Sequence, residues 1–274
     1  MNNFSLSKAL LQNGVSLKTY ATLDNEVTLV LGTLLSRDDS ALASNLKAPL
    51  IYLSAMEDPI LHEKATLFSK CEVGSEEGVL GVLIAAVMGN RKVSEEILEY
   101  LDDLDEGYLS AECNVGEEEA EEIAALLENK RCTCILNSDL EFHPKAQNLA
   151  KLIALLATLI PLDVVMVGKE AEEATGVAVV IPDAIEELAS FDGTVVYHCP
   201  SVNIEEETML FGSAQFGVAA KAKDGQKVLV QTQTKRYERT FKVDNNLKGT
   251  VALLPVAEDA DTYRYGQSKI TQVG

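Results

Sequence analysis

Apolar residues recur along this chain in two rhythms. Before about residue 190 they fall at helical spacing, interrupted by short unbroken apolar runs; after it they alternate with polar residues between turn signals. In the first part, Glu26–Leu31 (EVTLVL) reads as a buried strand ending at Gly32, and Pro49–Ser54 (PLIYLS) as a second, with a helical segment between them. A strand–helix–strand rhythm implies parallel pairing. A helix is predicted to open at Ser75, whose side chain can cap it. Glu76 and Glu77 complement the positive end of its dipole, and it runs to about Met88, where Asn90 closes it. A second helix spans Glu117–Asn129, with Ile123, Leu126 and Leu127 on one stripe. Cys132–Leu136 (CTCIL) is the next buried strand. Pro144 is placed at the start of the longest helix, whose stripe of Leu149, Ile153, Leu156 and Ile160 is widened by Leu152, Leu155 and Leu159 until Pro161 stops it. Strands Asp163–Val167 and Val177–Ile181, with a short helix after Asp183, complete two Rossmann-like βα units on a mostly parallel sheet.

The remainder alternates. Thr194–Cys199, Lys227–Thr232, Arg236–Val243 and Thr250–Leu254 are predicted strands, with Tyr237, Phe241 and Val243 facing inward opposite Glu238, Thr240 and Lys242. Asp224-Gly225 is a turn signal and Lys248-Gly249 resembles one. With one helix at Ala214–Lys221, this is the pattern of a small β-barrel. The expected division is an α/β domain over 1–190 and a β-rich barrel domain over 191–274.

Charge follows the same division. Residues 1–190 carry 13 basic and 33 acidic side chains and 191–274 carry 10 and 10, which together make the 23 and 43 of the 274-residue chain. The whole net charge of −20 therefore belongs to the first part. Such a surface repels nucleic-acid phosphates and anionic lipid headgroups, so neither nucleic acid nor direct membrane insertion is expected. Five scattered cysteines, an odd number, and a polar start without the apolar core of a secretory leader point to free thiols in a reducing cytoplasm. The longest apolar run, Leu152 to Gly168, contains Pro161 and Asp163 and is short of a bilayer span.

Candidate chemistry is sparse. Gly32-Thr33 is the best placed ligand loop, because ligands of open α/β sheets bind beyond the carboxyl ends of the strands; Leu34 and Leu35 follow it where polar contacts would be wanted. Gly74 to Gly81 (GSEEGVLG) is neither dinucleotide fingerprint nor P-loop, and its two acids would oppose an anion, so it reads as a capped helix start. Cys132-Thr-Cys134 places two thiols on one side of a strand without the turn that lets two sulfurs share a zinc, and His143 lies nine residues on; core packing is the better reading. His198 and Cys199 alternate to opposite faces. With three histidines, no GxSxG and no HExxH, no catalytic residue and no metal site is expected. Glu95 to Glu128 contains 14 acids and no Lys or Arg. It reads either as a solvated pair of helices with a loop or as a docking face for a basic subunit, with Glu117, Glu118, Glu119, Glu121 and Glu122 as docking residues.

Six stretches together resemble a known family: EVTLVLGTLLSRDDSALASNLK (26–47), CEVGSEEGVLGVLIAAV (71–87), GYLSAECNVGEEEAEEIAALLENK (107–130), CTCILNSDLEFHPKAQNLAKLIALLATL (132–159), AKDGQKVLVQT (222–232) and FKVDNNLKGTVALLP (241–255). They are similar to the C-terminal part of the G subunit of bacterial NADH:quinone oxidoreductase, respiratory complex I, which has the molybdopterin-oxidoreductase fold. The resemblance implies a terminal double-psi barrel and a non-catalytic structural module of the peripheral arm. It implies further subunits of a membrane-associated respiratory complex as partners and a cytoplasmic place peripheral to the inner membrane. Nothing here corresponds to the family's cysteine-rich N-terminal region, the Gly32 loop is apolar, and Ser201–Phe211 is only a short link. These departures imply no cofactor in this chain. Two alternatives stay open: a molybdopterin-dinucleotide-binding portion of a molybdenum oxidoreductase, with Gly32 and Thr33 at the ligand, and an unrelated small-molecule-binding α/β protein.

Overall fold

Short runs of β-branched and aliphatic residues form one parallel sheet: β1 (Val27–Leu31), β2 (Leu50–Ser54), β3 (Leu67–Lys70), β4 (Cys132–Leu136) and β5 (Leu162–Met166), in the order β3-β2-β1-β4-β5. Every residue of β1, β2 and β4 is buried, as expected of strands covered on both faces. The structure, a computed structural model, describes residues 5–89, 91–176, 181–233, 235–257 and 262–273. The chain divides into two units, Met1–Ala189 and Ser190–Gly274.

In-register pairing (Leu31 with Leu53 on one side and Leu136 on the other) brings the carboxyl ends of the strands to one edge. From β1 the chain winds outward through β2 to β3, whereas β4 and β5 lie on the other side, so the strand order reverses beside Gly32. On one face pack α1 (Leu6–Gln12), α5 (Glu76–Met88) and α9 (Ala146–Leu159), with α6 (Glu95–Asp102), α7 (Glu106–Cys113) and α8 (Glu117–Leu127) outside them. The other face carries α2 (Leu35–Asp38), α3 (Ser40–Asn45) and α4 (Pro59–Lys64) around Val30, Tyr52 and Ile135. The helix α5 is apolar nearly all round because it lies between the sheet and the outer helices.

Several predicted features are corrected. The Ser75 hydroxyl caps nothing; it donates to the Glu72 carbonyl at 2.8 Å. Pro144 precedes α9, which starts at Ala146 with Lys145 as its N-cap. The acidic run forms three helices, α6, α7 and α8, rather than two. No helix follows Asp183. There the backbone donors go to side chains instead, Asp183 N–H to Asn148 Oδ1 (2.6 Å) and Leu188 N–H to Tyr108 Oη (3.1 Å), while Leu188 packs on Gly78 so closely that a Cβ there would lie 2.6 Å from Leu188 Cδ1. Asn90 and the strand predicted at Val177–Ile181, all but Ile181, lie outside the described residues.

The second unit is a curled mixed sheet of seven strands, β6 (Val195–Pro200), β7 (Met209–Gly212), β8 (Lys227–Gln231), β9 (Arg236–Val243), β10 (Val251–Val256), β11 (Tyr265–Gln267) and β12 (Lys269–Gln272), with α10 (Ala214–Ala220) following β7. The last two strands are consecutive, parted only by Ser268, yet β11 pairs with β6 and β12 with β8. That shared final stretch joins the two ends of the strand order β11-β6-β10-β7-β9-β8-β12, which is what curls the sheet. Inside it Val196, Leu210, Phe216, Val228, Phe241 and Leu254 form the core, the two phenylalanine rings 5.9 Å apart. The stretch read as a plain link, Ser201–Phe211, contributes most of β7.

Candidate functional site

The strand-order reversal is where an open α/β sheet offers a ligand crevice, and both predicted cofactor residues are there. Gly32 has φ +118°, a conformation glycine alone adopts readily. A Cβ on it would lie 2.6 Å from Asp139 Oδ1 and 2.7 Å from Asn137 Cβ. The close approach that glycine permits is therefore made by the chain's own residues just after β4. Thr33, buried, donates its N–H to Asp139 Oδ2 at 2.9 Å. The Asn137 amide nitrogen donates to the Thr33 carbonyl and to Asp38 Oδ2 at 2.8 Å. The loop's own Leu34 and Leu35 are buried and apolar, and its polar partners come from across the crevice.

Buried acids continue along the same edge. Asp58, fully buried after β2, accepts from Ser36 N–H (2.7 Å), Ile60 N–H (2.9 Å) and Leu61 N–H (3.3 Å), tying the starts of α2 and α4 together. At the start of α5, Glu76 and Glu77 are buried. His143 Nδ1 accepts from Lys145 N–H at 3.1 Å, so the ring proton is on Nε2 and is donated to Glu76 Oε2 at 3.1 Å. Glu77 accepts from Asn148 Nδ2 at 2.8 Å. Glu141 takes Ser5 Oγ (2.5 Å), Ser7 Oγ (2.7 Å), Ser7 N–H (3.0 Å) and the Lys169 ammonium (2.8 Å). Burial pushes its carboxyl up, but these donors outweigh it and hold the group below the ordinary carboxylate range. Asn137, Asp139, Asp58 and Glu141 were not singled out from the sequence. The available signal was position: Asn137-Ser-Asp139 follows an apolar strand directly, just as Gly32-Thr33 does.

The other candidates separate. Cys132 and Cys134 share one core and His143 is engaged elsewhere, so the CxC pair and this histidine form no ligand set. All five thiols are free and buried. Burial raises Cys134 to about 12 and Cys113 and Cys132 to about 11, values that leave them protonated and unreactive at neutral pH. His198 Nδ1 donates to the Arg264 carbonyl at 3.0 Å. Among the described residues no group of three or more His, Cys, Asp or Glu side chains could hold a metal, and no helix is long and apolar enough to cross a membrane. Glu117, Glu118, Glu121 and Glu122 are exposed on α8 and Glu119 is half-buried. A cavity of about 620 Å³ lies on the second face of the sheet, between Tyr20, Leu23, Leu42 and Val165, with Lys18, Lys47 and Lys169 at its margin.

No family description matches the chain, and no curated protein matches its sequence. Among solved structures, acetylene hydratase from Pelobacter acetylenicus superposes with a TM-score of 0.59 at 8% identity, over 94% of this chain and 74% of that one. At that identity the likeness establishes a shared fold. It also corrects one expectation: nothing in these comparisons supports the complex I G subunit, and the six stretches that resemble it are no sequence evidence for membership.

Proposed function

We propose that this chain is a module of the molybdopterin-oxidoreductase fold class, acting there as protein scaffold. The likeness to acetylene hydratase over 94% of the chain supports that class, the molybdenum-oxidoreductase alternative, over the respiratory subunit. On this reading the curled sheet, with its parallel pairs β6/β10 and β7/β9, is of the double-psi type. One observation carries the scaffold role: the edge where the cofactor would lie is lined by the buried carboxylates of Asp58, Glu76, Glu77, Asp139 and Glu141. Phosphates do not fit among them. The exposed acids of α8, Glu117, Glu118, Glu121 and Glu122 with half-buried Glu119, then serve to dock a basic partner.

Pterin fluorescence after acid extraction, with elemental analysis for molybdenum, tests the reading on purified protein. Neither is expected; near one equivalent of pterin ends the scaffold role and leaves the second reading, a dinucleotide-holding portion of an oxidoreductase, which the extent of the structural likeness favours. For the docking face, changing the five α8 glutamates to glutamine weakens partner association, and salt weakens association of the unchanged protein. Association indifferent to both removes the docking role.

A further inference from the structure

We infer that Asn137 and Asp139 are permanent internal occupants of the Gly32 crevice, and that they make the crevice reject phosphate-bearing ligands. The inference deepens the scaffold reading and rests on it. An anion at such a loop needs unspent hydrogen-bond donors. Here Thr33 N–H is given to Asp139 Oδ2 at 2.9 Å, and the Asn137 amide nitrogen is given to Asp38 Oδ2 at 2.8 Å and to the Thr33 carbonyl. Of the side-chain atoms left over, the buried Asn137 Oδ1, which has no partner among the described residues, is an acceptor, as a phosphate oxygen is, and the enclosed Ser138 hydroxyl beside it offers a single donor. Turning the amide over would set its oxygen against the Thr33 carbonyl and the Asp38 carboxylate and lose both bonds. Asp139 is 1% exposed and Asn137 fully buried. Space points the same way, because the atoms nearest the absent Gly32 Cβ are Asp139 Oδ1 and Asn137 Cβ, at 2.6 and 2.7 Å. In a sheet that holds a dinucleotide, the glycine after the first strand lets backbone approach pyrophosphate. In this chain it lets β1's loop approach the loop of β4, and the Asp139 carboxylate stands where an anion's oxygen would.

The test follows the Thr33 amide by NMR in the full chain. In the unchanged protein it exchanges slowly with solvent, and inorganic pyrophosphate or GDP leaves its shift unmoved. In Asp139→Ala the same amide exchanges at least about tenfold faster, the factor that corresponds to losing one hydrogen bond to a charged acceptor. Asp139→Ser, too short to reach Thr33, carries the same expectation if the alanine variant does not fold. A saturable shift of Thr33 with pyrophosphate in the unchanged protein overturns the inference, as does unaltered exchange in a folded Asp139 variant. A chain that carried a pterin elsewhere would fail the cofactor analysis and still meet these expectations, so the two readings fail separately.

Discussion

Replacing Gly32 by alanine perturbs backbone and packing together. The first contribution is conformational: at φ +118° an L-residue is held in a sparsely populated region, which costs about 1–3 kcal/mol. The second is steric. The new methyl would lie 2.6 Å from Asp139 Oδ1 and 2.7 Å from Asn137 Cβ, and the latter cannot swing aside like the tip of a long side chain, so overpacking adds about 1–3 kcal/mol. The sum, about 2–6 kcal/mol, is a large share of the roughly 5–15 kcal/mol that holds a domain folded. Gly168 supplies the control within the same unit, since it too has positive φ (+78°) but nothing within 4 Å of an added Cβ. Gly168→Ala should therefore cost only the backbone part, about 1–2 kcal/mol. Urea titrations followed by far-UV circular dichroism compare the two variants, with an unchanged slope required before midpoints are converted to free energies. Equal losses in the two would refute the claim that the chain's own loop fills the space above Gly32.

Three further outcomes follow from the buried acids and thiols. His143→Phe leaves Glu76 buried without its ring donor and should cost about 1.5–3 kcal/mol in urea unfolding, whereas in a Glu76→Gln background the same change should cost less by at least about 1 kcal/mol; additive effects contradict the pairing. Glu141 has a folded-state pKa below its unfolded one, so its contribution is complete above the ordinary value of 4.5 and is lost as pH falls through the folded value; Glu141→Gln should flatten that acid limb of stability, and an unchanged limb counts against the Ser5, Ser7 and Lys169 bonds. The five buried thiols should react slowly with a disulfide reagent at pH 8 in the native protein and fully after unfolding, and rapid native labelling at Cys132 or Cys134 would contradict their place in the core.

What the sequence revealed depended on how local each signal was. The strands β1, β2, β4 and β5 are apolar runs, and the spacing of Leu149, Ile153 and Leu156 marks a buried helix without further context. The strand β3 was hidden because Leu67 and Phe68 at the sheet's edge are only partly buried, so LFSK carries no core-strand pattern. Glu76 and Glu77 invited a reading as first-turn acids that complement the helix dipole; their partners His143 and Asn148 are 67 and 71 residues away, and no local pattern announces such pairs. The helix expected after Asp183 failed for a related reason, since Asn148 and Tyr108, both remote in sequence, claim its backbone donors. The position of Gly32 followed from the end of an apolar strand, but the residues packed over it, Asn137 and Asp139, follow β4, with Asp139 lying 106 residues beyond Thr33, and only the sheet order brings them together.

The most direct measurement is amide hydrogen exchange along the carboxyl edge of the unaltered sheet. Thr33, Ser36, Ile60, Leu61 and Ser7 all donate their N–H groups to buried carboxylates of the chain, so all five should exchange far more slowly than in an unstructured peptide. Exchange at unprotected rates for Thr33 and Ser36, with the β1 and β4 amides still protected, would mean that this edge stands open to a ligand.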